Sequence, residues 1–410
     1  MTFEDTAELR STVPPGARYD DGMTVPHHVY GLVCAGGGAH GAYQVGVLKY
    51  VHEHFCNGDA SPFQVFCGTS AGCLNTCFFA SRSYDARTAC LELEELWMGF
   101  HVPQYYGNIV MNTLKSFVKE STKPRKDKKP CWSLLDPTPL VDVVRRGFLR
   151  ETFERSMAEG TTLCLSVAVT ELRSSRLVFF LEGPNAVSWN SGLAIGIETT
   201  IEVPHVAASC SVPFAFPPVR IGDHYYSDGG VANKSPFGPA INTGVTRILS
   251  VATDRPLPDE LPRYPPGFKP RLSETVRMLG DQLSHDYATN QAKWIELVNF
   301  FREQLPPEQF EETVEHIMSK NVINLSKYRP VEIKLFAPSR RIGHTDIFDT
   351  EVLDQDLKNT STTLRFHTKF MEQLIEFGYK DATARHDELS EFFDPDRPQR
   401  PSIFSEASTG

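Results

Sequence analysis

The stretch Val29-Tyr30-Gly31-Leu32-Val33-Cys34-Ala35-Gly36-Gly37-Gly38-Ala39-His40-Gly41 decides the fold. Its first seven residues form a short continuous apolar run, the pattern of a strand buried on both faces. Glycines stop the strand, and a helical pattern then opens in which Tyr43, Val47, Leu48, Val51 and Phe55 share one stripe. The unit is strand, tight glycine turn, helix. It recurs further on, with Phe63-Gln64-Val65-Phe66-Cys67 as strand, Gly68-Thr69-Ser70-Ala71-Gly72 as turn and Leu74 to Ala80 opening a helix. Later strands are predicted at Leu163–Val169, Leu177–Leu181 and Ile248–Thr253. Strands alternating with helices predict an α/β fold with a mainly parallel sheet covered on both faces. Right-handed crossovers put both glycine turns at the carboxyl edge of that sheet, where such folds keep their sites.

Outward from this frame, residues 1–28 are polar, acidic and broken by prolines, and read as a flexible arm. They lack the basic start and apolar stretch of a secretory signal. Trp97 to Val118 is dense in aromatic and long apolar side chains, and Lys123-Pro124-Arg125-Lys126-Asp127-Lys128-Lys129-Pro130 follows as a proline-bracketed basic loop. Two readings stand for this pair: a core-packing helix with a solvated loop, or an apolar lid with a basic rim that touches a lipid surface. From about residue 265 the pattern is mostly helical, with one strand at Val331–Phe336 and a last amphipathic helix from Thr362 to Phe377. The expected organisation is a domain over 29–260, a helical extension over 261–393 packed on it, and a disordered tail over 394–410.

Composition narrows the function classes. The 410 residues are 40% hydrophobic and 22% charged, as in ordinary soluble globular proteins. Forty-one basic and 51 acidic side chains leave a formal charge of −10, which argues against nucleic-acid binding. It also makes lipid contact a local, apolar matter, since an acidic surface is not drawn to anionic membranes. No apolar run approaches the ~18 residues of a spanning helix, so a soluble, cytoplasmic protein is expected, at most peripheral at a membrane. The nine cysteines form no CxxC pair and no zinc spacing; Cys73 and Cys77 read as buried small hydrophobes. Free, scattered thiols fit a reducing compartment.

Gly68-Thr69-Ser70-Ala71-Gly72 matches the nucleophile elbow G-x-S-x-G in its required context, after a buried strand and before an apolar helix. The flanking glycines leave room around a serine held in a strained turn. Gly36, Gly38 and Gly41 satisfy G-x-G-x-x-G, but the next strand ends in the serine elbow, not in the acidic residue that holds a ribose. The other reading of the loop is a set of backbone N–H groups that receive an oxyanion. A base for Ser70 has several candidates. His285, His316, His344 and His367 lie in undistinguished polar segments, whereas His224-Tyr225-Tyr226-Ser227-Asp228-Gly229-Gly230 ends a short strand in a carboxylate. The same Asp-Gly is also the commonest hairpin-turn signal.

With these motifs the chain resembles the patatin-like phospholipases. They combine a glycine-rich loop after the first strand, a G-x-S-x-G elbow and a downstream Asp-Gly-Gly or Asp-Gly-Ala, here Gly36–Gly41, Gly68–Gly72 and Asp228–Gly230. Ala208-Ser209-Cys210-Ser211-Val212-Pro213 looks like the family's Ala-Ser-x-x-x-Pro stretch, and Gly378-Tyr379 with Ala382 like the end of many members. The resemblance covers about residues 29–255. It implies a three-layer α/β/α fold and a Ser70–Asp228 dyad without histidine. Gly36, Gly37 and Gly38 would form the oxyanion hole, Gly68 and Gly72 the elbow, and no metal or cofactor would take part. Implied substrates are phospholipids, lysophospholipids and neutral acyl esters. A thioesterase or acyltransferase using the same dyad, or an idle patatin fold serving interaction or storage, are the alternatives. His40 stands where the family commonly has Arg or Lys. It either orients the loop or substrate with a charge carried only in part near neutral pH, or is a structural histidine.

Overall fold

The computed structural model describes residues 28–99, 137–254, 288–310, 330–342 and 366–398, except positions 57, 192–193, 214, 234–235, 307 and 341. The strands are β1 (Tyr30–Cys34), β2 (Val65–Thr69), β3 (Cys164–Glu171), β4 (Leu177–Glu182), β5 (Trp189–Asn190) and β6 (Ala194–Glu198). They continue with β7 (Val219–Ile221), β8 (His224–Asp228), β9 (Arg247–Val251) and β10 (Glu332–Phe336). The helices are α1 (Gly41–Phe55), α2 (Ala71–Ala80), α3 (Ala86–Met98), α4 (Thr138–Gly147) and α5 (Arg150–Ala158). After them come α6 (Val203–Ser209), α7 (Phe237–Asn242), α8 (Ala288–Gln304), α9 (Thr368–Ala384) and α10 (His386–Phe393).

All ten strands join one sheet in the order β10-β9-β1-β2-β3-β4-β6-β5, with the β7–β8 hairpin attached to β3. The five from β10 to β3 are parallel. Successive side chains of a strand point to opposite faces, and the cores divide accordingly. Leu32 and Cys34 of β1, Phe66 of β2 and Leu249 of β9 pack with α1, α2 and α9. Val33, Val65, Cys67 and Ile248 pack with α7 and α8. Both faces are covered, which is why these strands read as unbroken apolar runs. The fold is a mixed α/β fold with a central, mostly parallel sheet.

The C-terminal part is woven into this core. β10 pairs with β9 at the sheet edge. α9 crosses α1 at backbone contact: a Cβ on Gly46 would overlap the Ile375 carbonyl, and one on Gly378 the Tyr43 carbonyl. Beside this contact the Tyr43 hydroxyl donates to Asp381 Oδ2 at 3.0 Å, and Ser339 donates its N–H and hydroxyl to the same carboxylate. Helix α9 therefore differs from the last helix expected over Thr362–Phe377, and α10 follows it. Phe366 and His367 precede α9, and it continues through Gly378 to Ala384, because that glycine serves helix packing instead of a stop. The tail expected to be disordered from 394 is also bound at its start. Arg247, fully buried, donates to the carbonyls of Phe392 and Asp394 at 2.8 and 2.7 Å, and Arg397 pairs with Glu332.

Trp97 and Met98 end α3, whereas the rest of the apolar stretch and the whole Lys123–Lys129 loop lie outside the described residues. Cys73 and Cys77 are fully buried, with sulfurs 3.6 Å apart in the core. Among the described residues no helix is long and apolar enough to cross a membrane.

Candidate active site

The turn between β2 and α2 is one residue long. Thr69 closes the strand, Ala71 opens the helix, and Ser70 bridges them at φ 55° and ψ −125°. A non-glycine residue at positive φ costs on the order of 1–3 kcal/mol and persists only where its surroundings impose it. Those surroundings explain the glycines. A Cβ on Gly68 would overlap the Thr76 hydroxyl, and one on Gly72 the Cys34 carbonyl. The N-terminus of α2 is thus pressed on the end of β1, and Ser70 is 7% exposed.

Asp228 reaches the same point from another direction. β2 pairs with β3 as far as Thr69 opposite Ala168, and β8 takes over on the same strand with Asp228 opposite Val169. The strands that lead to Ser70 and Asp228 therefore end against consecutive residues of β3. Asp228 is 4% exposed, and its Oδ1 accepts the Gly230 N–H at 2.7 Å. Thr170 Oγ1 donates to its carbonyl at 2.9 Å. Gly229 lies against the Ala168 carbonyl, where a Cβ would come within 2.5 Å. Asp228-Gly229 is thus no hairpin turn; the β7–β8 hairpin turns at Gly222, φ 58°.

The glycine loop lies beside Ser70. A Cβ on Gly36 would stand 3.3 Å from the Ser70 Cβ, and Gly37 has no room for one against Thr253. The loop's carbonyls are tied to buried side chains. Thr253 Oγ1 donates to the Gly36 carbonyl at 2.7 Å, and Gln44 Nε2 to those of Ala35 and Val251 at 2.9 and 2.8 Å. Asn75 Nδ2 donates to the Gly41 carbonyl and to Gln44 Oε1, while Trp97 Nε1 donates to Asn75 Oδ1. Fixing a carbonyl fixes its planar peptide, and with it the N–H on the other side. His40 closes the short turn Gly38–His40. It is 2% exposed, with Nδ1 3.6 Å from Asp254 Oδ1.

Sequence reasoning named Ser70, Asp228, His40 and the glycines Gly36, Gly37, Gly38, Gly68 and Gly72, and they converge on one edge of the sheet. Of the four histidines weighed as bases, His285, His316 and His344 lie outside the described residues, and His367 stands at the start of α9. Missed were Gln44, Asn75 and Thr253, and the contact made by Ser209, which the sequence offered only as part of the Ala-Ser-x-x-x-Pro stretch; all four are buried. The available signal was an amide side chain on an otherwise apolar helix stripe, since a buried polar group requires partners. Close by, the Cys210 thiol donates to the Ser70 carbonyl at 3.3 Å. Burial, with Cys73 and Asp228 near it, raises that thiol's pKa well above its ordinary value.

A family profile described as Patatin-like phospholipase matches residues 32–241, about half of the chain and inclusive of all three motifs. The chain belongs to the patatin-like phospholipase family. Membership supports lipid acyl hydrolysis as its general chemistry. No curated protein sequence matches this patatin-like chain. Among solved structures it is similar to VipD from Legionella pneumophila, at 14% identity and a TM-score of 0.32, over 87% of this chain and 68% of that one.

Proposed function

We propose that the protein cleaves fatty-acyl ester bonds of phospholipids or lysophospholipids through an acyl-enzyme on Ser70, with Asp228 as general base. The observation that carries this reading is the register on β3, where Thr69 and Asp228 face the adjacent residues Ala168 and Val169. Ser70 Oγ attacks the ester carbonyl and gives its proton to Asp228. The N–H groups of Gly36, Gly37 and Gly38 receive the oxyanion, a contribution of about 3–4 kcal/mol per donor in known cases. Asp228 then protonates the departing alcohol oxygen. Water, deprotonated by the same carboxylate, hydrolyses the acyl-enzyme and frees the fatty acid. His40 holds the loop against Asp254 and takes no part in proton transfer. The lipid meets the site at a membrane surface, in keeping with exposed Val212 and Val231, each three residues from Ser209 or Asp228.

Ser70→Ala and Asp228→Asn are each expected to lower ester hydrolysis by at least about 10³-fold with unchanged near-ultraviolet circular dichroism. A fluorophosphonate probe should label wild type at Ser70. Substantial activity in Asp228→Asn refutes the dyad, and a folded wild type that neither hydrolyses acyl esters nor takes up probe refutes the hydrolase.

A further inference from the structure

The residue that lets Ser70 keep its strained turn comes from a different part of the chain. Ser70 precedes the first turn of α2, so its N–H has no acceptor within the helix. β2 has already left its partner strand at Thr69, and a buried amide needs a partner. Ser209, at the end of α6, supplies one. The Ser70 N–H donates to Ser209 Oγ at 3.0 Å, and the Ser209 hydroxyl in turn donates to the Ala168 carbonyl at 2.6 Å. Ala168 is the last partner of β2. The hydroxyl is thus set between the departing chain and the strand it departs from, and carries the hydrogen bonding across the gap. Ser209 is fully buried.

Its two neighbours act on the same pair. Cys210 donates its thiol proton to the Ser70 carbonyl, and the Ser211 carbonyl accepts the Asp228 N–H at 3.0 Å and the Ser227 hydroxyl at 2.8 Å. Three consecutive residues therefore grip the backbone of Ser70 on one side and of Asp228 on the other. None of these contacts involves a reacting atom.

We propose that Ser209 is a positioning residue: its hydroxyl holds the Ser70 backbone in the attacking conformation and, through Ser209–Ser211, fixes the nucleophile relative to Asp228. The inference rests on the hydrolase reading above. A displacement of ~1 Å at a reacting group costs about 10²-fold in rate. Ser209→Ala is therefore expected to lower kcat by roughly 10–100-fold, with KM within about two-fold of wild type. The rate of Ser70 labelling by a fluorophosphonate should fall by the same factor, since attack on phosphorus needs the same alignment. Ser83→Ala is the control. It removes an equally buried hydroxyl that bonds to Thr161 and Thr162, away from the site, and should leave both rates unchanged.

Should Ser209→Ala not fold, Ser209→Cys keeps the side chain's reach while weakening both hydrogen bonds, and its kcat should fall at unchanged Tm. Parallel loss of kcat and labelling rate confined to position 209 supports the brace. The brace is overturned if the folded Ser209 variant stays within about three-fold of wild type, if the loss appears in KM alone, or if Ser83→Ala loses as much. In those outcomes wild type is still labelled and the hydrolase reading stands; a wild type that takes up no probe overturns both.

Discussion

His52 offers a stability test that is independent of any activity. It lies on α1 with its ring stacked on Phe79, centroids 4.4 Å apart and planes within 2°, and Phe63 packs edge-on. Nδ1 is 2.7 Å from the Leu48 carbonyl, and Nε2 is 3.1 Å from Ser61 Oγ. Ser61 Oγ already accepts the Phe63 N–H, so its proton is available to Nε2. The pattern suits a neutral ring protonated at Nδ1. Burial lowers the pKa from 6.5 to about 4, opposed by the Leu48 hydrogen bond. The unfolded chain therefore binds this proton more tightly than the folded one. The contribution to stability is complete above pH 6.5 and is lost as pH falls from 6.5 towards about 4. At about 1.4 kcal/mol per pH unit, that window holds about 3 kcal/mol. The perturbation is His52→Phe, which keeps an aromatic ring and removes the titration. Urea unfolding at steps from about pH 7 to about pH 4.5 would be measured for both proteins. Wild type should lose stability relative to the variant by about 1.4 kcal/mol per pH unit below pH 6.5. The comparison cancels the carboxylates and His205, whose pKa burial also lowers. Parallel pH profiles for the two proteins would refute the argument.

Further outcomes follow from the packing. Gly378→Ala should destabilise by about 1–3 kcal/mol or more, read as a fall in Tm, although the same change on an exposed helix favours folding by about 1 kcal/mol. The added Cβ has nowhere to go but into the Tyr43 carbonyl, which reverses the sign. Arg247→Met should cost about 3–5 kcal/mol, because Glu332 loses its fully buried arginine neighbour, keeping the partly buried Arg397, and the carbonyls of Phe392 and Asp394 lose their donor. Limited proteolysis should then cut first after residue 390. Thr253→Val removes the donor to the Gly36 carbonyl at equal volume. It should lower kcat by roughly 10-fold or more with little change in KM; an unchanged kcat would mean the loop does not need this tie.

Much of this was legible in the sequence because the decisive features are local. A strand buried on both faces writes itself as an apolar run, and Val29–Ala35 and Phe63–Cys67 both lie within one or two residues of β1 and β2. Gly68, Gly72 and Gly37 are needed for close approach, so they stand at fixed spacing from the residues they serve. What escaped depends on contacts between distant parts of the chain. Ser209 reaches Ser70 across 139 positions and Thr253 reaches Gly36 across 217, and neither pairing leaves a periodic trace. The helix expected to end at Phe377 runs on for the same reason: the purpose of Gly378 is a close approach to a carbonyl on α1. Short strands such as β5 and β7, of two and three residues, carry too few side chains for any alternation to register.

Helix α1 begins at the glycine loop and leans on α9, with Tyr43 and Asp381 338 positions apart. A ribosome makes the loop, the elbow and the aspartate early and the helix that seats them late, since chains emerge from the N-terminus at about 5–20 residues per second. On the proposed reading, a copy made only as far as Asp228 carries Ser70 without the helix that backs its loop, so activity waits until α9 has emerged and docked on α1.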